Sequence, residues 1–209
     1  NRSEDLSAPY LEKIKKECKK HDVEVKVAYS DRLSIFKTIK SIKDVISQEK
    51  DNYIYVNVAS GSKIQAIAAM MACSLSKSSD NLQPFYSEPE RYAAFEGKQQ
   101  SFGLKDTIPL PLYAIHTPHP KLLAALKIVA GQSNQKITKK EMARIAEEQE
   151  IITVNAEQEN HSQARFASLE SNIIAPLEKE WKFVEVEKIG RNRWIKITQE
   201  GIDAAEFLI

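Results

Sequence analysis

Hydrophobic positions along the chain change period several times, and each change predicts an element. Tyr10, Leu11, Ile14 and Cys18 recur at helical spacing with lysines between them, which predicts an amphipathic helix over about 7–21. Val23, Val25 and Val27 alternate with Glu24 and Lys26 and predict a strand. Leu33, Phe36, Ile39, Ile42, Val45 and Ile46 return to helical spacing, with Asp31 as the expected N-cap. The run from Tyr53 to Val58 is dense in β-branched and aromatic residues and predicts a buried strand. A tight turn through Ala59, Ser60, Gly61, Ser62 and Lys63 follows. A helix is then expected from about Ile64 to Ser76, its alanines and methionines suited to burial against a sheet. Pro84 to Ser87 predicts another strand, and the segment up to Leu112 offers one more. Residues 91–103 give no clear pattern.

Strand and helix thus alternate to about residue 112, which predicts a parallel sheet with helices on both faces. The chain opens into a helix where such a domain starts with a strand, so the first strand of the sheet is expected to be missing. Thr117-Pro118-His119-Pro120 is a stiff connector and marks the expected boundary between domains 1–116 and 117–209. Beyond it Leu122, Leu123, Leu126, Ile128 and Val129 stripe one helix. Thr138 and Glu141 form a capping box that opens a second. Residues 150–161 read as a loop, and a third helix is expected over 162–181, bent or split at Pro176. The alternating runs 183–189 and 193–197 flank Gly190-Arg191-Asn192 and predict a hairpin. A last helix follows Thr198.

Composition narrows the class. Of 209 residues, 42% are hydrophobic and 28% charged, which fits a soluble globular chain and excludes collagen-like, mucin-like and wholly disordered ones. The longest apolar-leaning run, Ile64 to Leu75, falls short of the ~20 residues a membrane span needs, so no membrane partner is expected. Cys18 and Cys73 lie far apart with no CxxC, as expected of reduced thiols in a cytoplasmic protein. His116 and His119 lack a companion at ligand spacing, so no metal and no cofactor is expected.

Three helices, a hairpin and a helix is the order of a winged helix-turn-helix domain, and the C-terminal stretch resembles that superfamily. The phrase Pro176-Leu177-Glu178-Lys179-Glu180-Trp181 precedes the hairpin. Ile197-Thr198-Gln199-Glu200-Gly201 follows it and is similar to the LTxxG that closes the wing in such proteins. The resemblance implies double-stranded DNA as partner, with a recognition helix in the major groove and the hairpin on neighbouring phosphates. The candidate contacts are Lys139 and Lys140 at the start of the second helix, Gln163, Arg165 and Ser168 on the third, and Arg191 and Arg193 in the wing. From Lys121 onward 13 basic residues face 14 acidic ones, so charge does not choose between DNA and protein contact. Glu157, Glu159, Glu170 and Glu178 crowd the proposed reading helix, and both readings stay open.

The sharpest N-terminal motif is Asn57-Val58-Ala59-Ser60-Gly61-Ser62-Lys63, between a strand and a helix. Small residues let a ligand approach the backbone, and the N–H groups at the next helix's N-terminus favour an anion. Ser60 and Ser62 add hydroxyls and Lys63 a positive charge, a set suited to phosphate. Neither GxxxxGK[ST] nor GxGxxG is present, and a plain strand–helix connector would account for the same residues. With Ile64-Gln65-Ala66-Ile67-Ala68 the motif resembles the signature of CRISPR-associated Rossmann-fold (CARF) domains, hydrophobic-Asn-x-Ser/Thr-Gly-Gly-Thr-Lys. Ser62 here stands where a Gly/Thr pair is common. The likeness extends to archaeal regulators that join such a domain to a winged helix, where a segment like Pro84 to Tyr92 follows the motif helix.

That resemblance implies an α/β fold, a Rossmann-like parallel-sheet (CARF-like) domain followed by a winged helix-turn-helix domain. It further implies a homodimer whose paired turns form one pocket for a cyclic oligoadenylate effector. Asn57, Ser60, Gly61, Ser62 and Lys63 would line it, and the turn from Ser30 to Arg32 would lie beside it on topological grounds. A ligand-responsive transcriptional regulator is the expected function. Two alternatives remain. One is a ring nuclease, in which Lys63 and Ser60 position the ligand's own 2′-hydroxyl for attack. The other is a dimeric interaction module that binds no small molecule.

Overall fold

The computed structural model describes residues 8–31, 33–76, 81–92 and 101–209. The chain forms two compact units, residues 1–30 and 31–209. In the first, helix α1 (Ala8–Lys20) carries Glu12–Lys15 and Glu17–Lys20 pairs at 2.9 and 2.7 Å on its exposed side. The helix ends where Asp22 turns left-handed, at φ +55°. The N–H groups of His21 and Val23 then fold back to donate to the Cys18 carbonyl, each at 3.0 Å. The strand expected over 23–27 does not form, and the chain there has no regular structure. Valine alternation supplies the propensity, but a strand also needs a neighbour for its backbone groups, and none pairs with it among the described residues.

The second unit opens with helix α2 (Ile35–Gln48). Its N-cap is Ser34, not Asp31: the Ser34 hydroxyl accepts the Lys37 N–H at 3.2 Å. Asp31 instead shapes the approach, its carboxylate accepting the Leu33 N–H at 3.1 Å. Strand β1 (Ile54–Asn57), helix α3 (Lys63–Leu75) and strand β2 (Leu82–Glu88) follow as a βαβ unit with β1 and β2 parallel. A two-residue ladder of β3 (Arg91–Tyr92) and β4 (Ser101–Phe102) leads to β5 (Asp106–Pro109), which joins β2 antiparallel. The sheet order is β1-β2-β5.

Ile54, Val56 and Leu82 point to one face, where α2 and α3 cover them around Ile39, Ile46, Ala68, Ala72 and Cys73. The other face of β1 is open: Tyr55 is 69% exposed, and Tyr53 just before the strand 81%. Two expectations are therefore corrected. Among the described residues the sheet is mixed, with helices on one face, and β1 is half-buried. The antiparallel strand arises because the chain returns to β2 through a short ladder, where a parallel neighbour needs a long crossover. An apolar count misjudged β1 because tyrosine counts as apolar yet sits comfortably with a wet face.

Beyond the connector, helix α4 (Pro120–Ala130) starts with Pro120 in its first turn, and the His119 ring accepts the Lys121 N–H at 3.2 Å. Strand β6 (Lys136–Thr138), helix α5 (Lys139–Glu148) and helix α6 (His161–Leu169) come next. The Thr138 hydroxyl accepts the Glu141 N–H at 3.2 Å, but the Glu141 carboxylate turns to Arg144, so half of the expected capping box is made. The helical path runs on past α6 in wide i→i+5 turns through Glu170–Ile174 and Pro176–Glu180. Pro176 has no N–H to give. The wider turn absorbs that gap, with Ala175 donating to Glu170 and Trp181 to Pro176. The expected bend or split takes the form of a register change: regular α-helix ends at Leu169 and wider turns carry the path past Pro176.

Strands β7 (Val184–Ile189) and β8 (Asn192–Ile197) form the hairpin, and β6 completes a sheet of order β6-β8-β7. Helix α7 (Gln199–Leu208) closes the chain, capped by the Thr198 hydroxyl, which accepts the Gly201 N–H at 3.0 Å. Leu126, Val129, Met142, Leu169, Ile173, Leu177, Val184 and Ile195 bury a shared core. Gly201 is where α7 meets the hairpin: a Cβ there would stand 2.2 Å from the Phe183 carbonyl oxygen. No helix among the described residues is long and apolar enough to cross a membrane.

Candidate functional site

The motif turn sits at the C-terminal end of β1, and all five candidate residues, Asn57, Ser60, Gly61, Ser62 and Lys63, are exposed. Two devices shape it. The Asn57 side chain accepts the Ala59 N–H at 2.8 Å and donates to the Ser87 hydroxyl at 3.1 Å, tying the turn to itself and to β2. Ser62 caps α3 in a full capping box: its hydroxyl accepts the Gln65 N–H at 3.3 Å, and Gln65 Oε1 accepts the Ser62 N–H at 2.7 Å. Gly61 adopts φ +86°, and a Cβ on it would meet Gln65 Oε1 at 2.6 Å. Conformation and close approach both call for glycine here. Asn57 and Ser62 therefore hold the loop's shape, while Ser60 and Lys63 stand at its rim. Ser87 is part of this arrangement and carries no sequence signal beyond its place on β2. Of the neighbouring turn, Arg32 lies outside the described residues.

The winged helix sorts its polar residues by partner. Lys139 is mostly buried and pairs with Glu170, linking α5 to the turn after α6. Arg165 donates to Glu147 at 3.1 Å, and His161 reaches the same carboxylate at 3.0 Å. The Ser168 hydroxyl donates to the Thr153 carbonyl at 3.3 Å and accepts from Asn172 at 3.2 Å. Three of the seven candidate DNA contacts are thus engaged inside the domain, fixing α6 on α5 and the loop before it. Lys140, Gln163, Arg191 and Arg193 are exposed. The two histidines of the connector have structural partners: His116 stacks on Trp181 with centroids 5.3 Å apart, and His119 caps α4.

Register adds Lys188, which sequence reasoning missed. In the hairpin Lys188 lies directly opposite Arg193, and Arg191 occupies the turn between the strands. Side chains alternate across a strand, so Lys188 and Arg193 share the face on which Val184, Val186, Ile195 and Ile197 cover the helices. They extend that face beyond the core. The opposite face is balanced: Glu185 pairs with Lys196 in register, and Lys196 lies 3.9 Å from Glu187. The pleat has segregated the charge. No carboxylate among the described residues lies within ion-pair distance of Lys188, Arg191 or Arg193. A lysine alternating with glutamates carries no such signal in sequence, because its cross-strand partner is unknown until the turn length is fixed.

Residues 1–92 match the model of a family described as HFX_2341_N-like, N-terminal. An uncharacterized protein of Methanocaldococcus jannaschii is 24% identical over an alignment of 151 positions that covers 61% of this chain and 45% of the relative. The chain thus spans less than half the length of the curated relative it matches. Residues 121–209 match the DUF6293 C-terminal winged helix domain, and with α4, α5, α6, the β7–β8 hairpin and α7 in order they form a winged helix domain.

Proposed function

We propose that this protein is a DNA-binding regulator whose wing holds the duplex backbone. The observation that carries the reading is the cross-strand pair of Lys188 and Arg193, with Arg191 beside it at the tip. Like charges directly opposite each other cost a hairpin roughly 0.2–1 kcal/mol, and a polyanion removes that cost. They lie on the strand face that Val184, Val186, Ile195 and Ile197 turn to the core, and extend it beyond that core. Lys140, at the start of α5, adds a fourth exposed cation. The test is fluorescence anisotropy of labelled duplex DNA against the full chain and the R191A/R193A variant. At least a tenfold loss in affinity is expected. Equal binding by the variant would sink the reading.

The same reading assigns residues 117–209 to DNA and residues 1–116 to sensing, with two copies paired in a homodimer. The Asn57–Lys63 turn supports an anionic ligand, because its backbone is pre-shaped by Asn57 and the Ser62–Gln65 capping box and a helix N-terminus opens onto it. With the CARF resemblance of the motif, the effector is a cyclic oligoadenylate. Thermal shift against cyclic tetra- and hexa-adenylate tests this, with linear and cyclic dinucleotides as controls. A ligand at 100 times its Kd adds about 2.7 kcal/mol. A shift with one ring, lost in Lys63→Ala, is expected. No shift with any ring would remove the sensing half of the reading and leave the DNA half standing.

A further inference from the structure

Resting on the DNA-binding reading, we infer that Gln163 selects an adenine–thymine base pair, and that α6 contributes base recognition while the wing supplies charge. The ion pairs inside the domain make this division. A reading helix with free arginines would favour guanine, because a guanidinium matches the two acceptors on that base's major-groove edge. The arginine of α6 is not free: Arg165 is spent on Glu147. Lys139, the cation at the start of α5, is spent on Glu170.

What α6 presents outward is different. Gln163 is exposed and has no hydrogen-bond partner among the described residues. It lies in the first turn of α6, away from the side that buries Leu169 and Ile173. Its carboxamide carries one donor group and one acceptor, the complement of adenine's N6 amino group and N7. Ala167, one turn further along the same face, is exposed and adds no competing polar group. The face also lacks a cation that would grip any sequence equally. Strand register gathers three cations on the hairpin, at Lys188, Arg191 and Arg193, and a fourth, Lys140, stands on α5; hairpin and α6 belong to one winged helix domain over residues 121–209. Affinity and specificity then have separate owners.

A bidentate contact of this kind discriminates by about 1–3 kcal/mol, or roughly 5- to 140-fold at one base pair. The experiment is selection from a pool of random-sequence duplexes with the full chain, repeated with Gln163→Arg and with R191A/R193A. Wild type is expected to enrich adenine–thymine at one position of the bound sequence. Gln163→Arg should enrich guanine–cytosine at that same position, since arginine matches guanine, and circular dichroism should show it folded because the site is exposed. R191A/R193A should weaken every sequence alike and keep the preference. If wild type binds duplexes but Gln163→Arg leaves the selected sequence unchanged, the assignment of Gln163 is overturned and the DNA-binding reading survives. If no duplex is retained by wild type, the DNA-binding reading itself fails, and this inference with it.

Discussion

Phe36 on α2 and Phe207 on α7 stack with ring centroids 5.5 Å apart and planes 12° from parallel. Beside them the Lys43 ammonium donates to the Phe207 carbonyl oxygen at 2.6 Å, and burial holds its pKa below the ordinary lysine value. Helix α7 therefore belongs to two cores. Ala204 is buried among the winged-helix residues, while Phe207 packs on the cluster under β1 and α3. Both rings are half-buried, so Phe207→Ala is expected to cost about 2 kcal/mol, below the roughly 3–5 of a fully buried ring. A double-mutant cycle with Phe36→Ala should return a coupling of about 1 kcal/mol from urea unfolding. Strict additivity of the two losses would mean that the rings merely fill space.

The glycines of the wing region separate clash from backbone strain. Gly201→Ala drives a Cβ to 2.2 Å from the Phe183 carbonyl oxygen, where backbone cannot yield easily. A loss of about 3 kcal/mol is expected from thermal unfolding. Gly190→Ala has open space around it and only the left-handed φ of +60° to pay, so its loss should be about 1 kcal/mol. Similar losses at the two positions would contradict the packing of α7 on the hairpin.

At the motif turn, Gly61→Ala combines φ +86° with a clash on Gln65 Oε1. It should lower stability by about 2 kcal/mol. In a Gln65→Ala background the clash is gone, so the added cost of Gly61→Ala should fall to about 1 kcal/mol. An unchanged cost would show that strain alone, and not the capping side chain, demands glycine.

Cys73 is fully buried, and burial raises its thiol pKa to about 11. The unfolded chain ionises this thiol near its ordinary value of 9.0 while the folded chain still holds the proton. The folded state then binds more protons, so stability falls as pH rises from about 9 to about 11. Denaturant titrations at several pH values should show this decline reduced in Cys73→Ala. In the native protein the thiol should react with a disulfide reagent at pH 8 far more slowly than after unfolding.

Salt dependence distinguishes the free cations from the engaged ones. If Lys140, Lys188, Arg191 and Arg193 each neutralise one phosphate, the slope of log affinity against log salt should be about −3.6 per winged helix. Removing Arg191 should flatten it by about 0.9. Lys139→Ala should leave the slope unchanged and lower stability instead, because its charge is committed to Glu170. A slope that flattens with Lys139→Ala would show that this ion pair opens on DNA.

Most helices were legible from local pattern. The stripes in α1, α2 and α4 and the cap at Thr138 depend on residues three and four apart, and so does the closing phrase Ile197 to Gly201. The hairpin was legible because its alternating runs are joined by a short turn. Less visible was strand β6, whose three residues Lys136–Thr138 become a strand only through pairing with β8. The cap of α2 was misplaced by one turn because Asp31 and Ser34 are both good capping residues, and only the backbone's entry angle selects Ser34.

The sequence by itself determined most of the helices, the hairpin, the order of the winged helix and the position of the Asn57–Lys63 turn, because periodicity, capping and turn chemistry act within a few residues of the chain. Tertiary structure alone decided which charges are available. Arg165 and Lys139 look like DNA contacts in sequence and become struts, since Glu147 and Glu170 come to them from elsewhere in the chain. Lys188 looks like one member of an alternating run and becomes half of a like-charged pair, because strand register sets Arg193 across from it. Charge acts through space at a few ångströms, so its role is fixed only once distant segments are brought together.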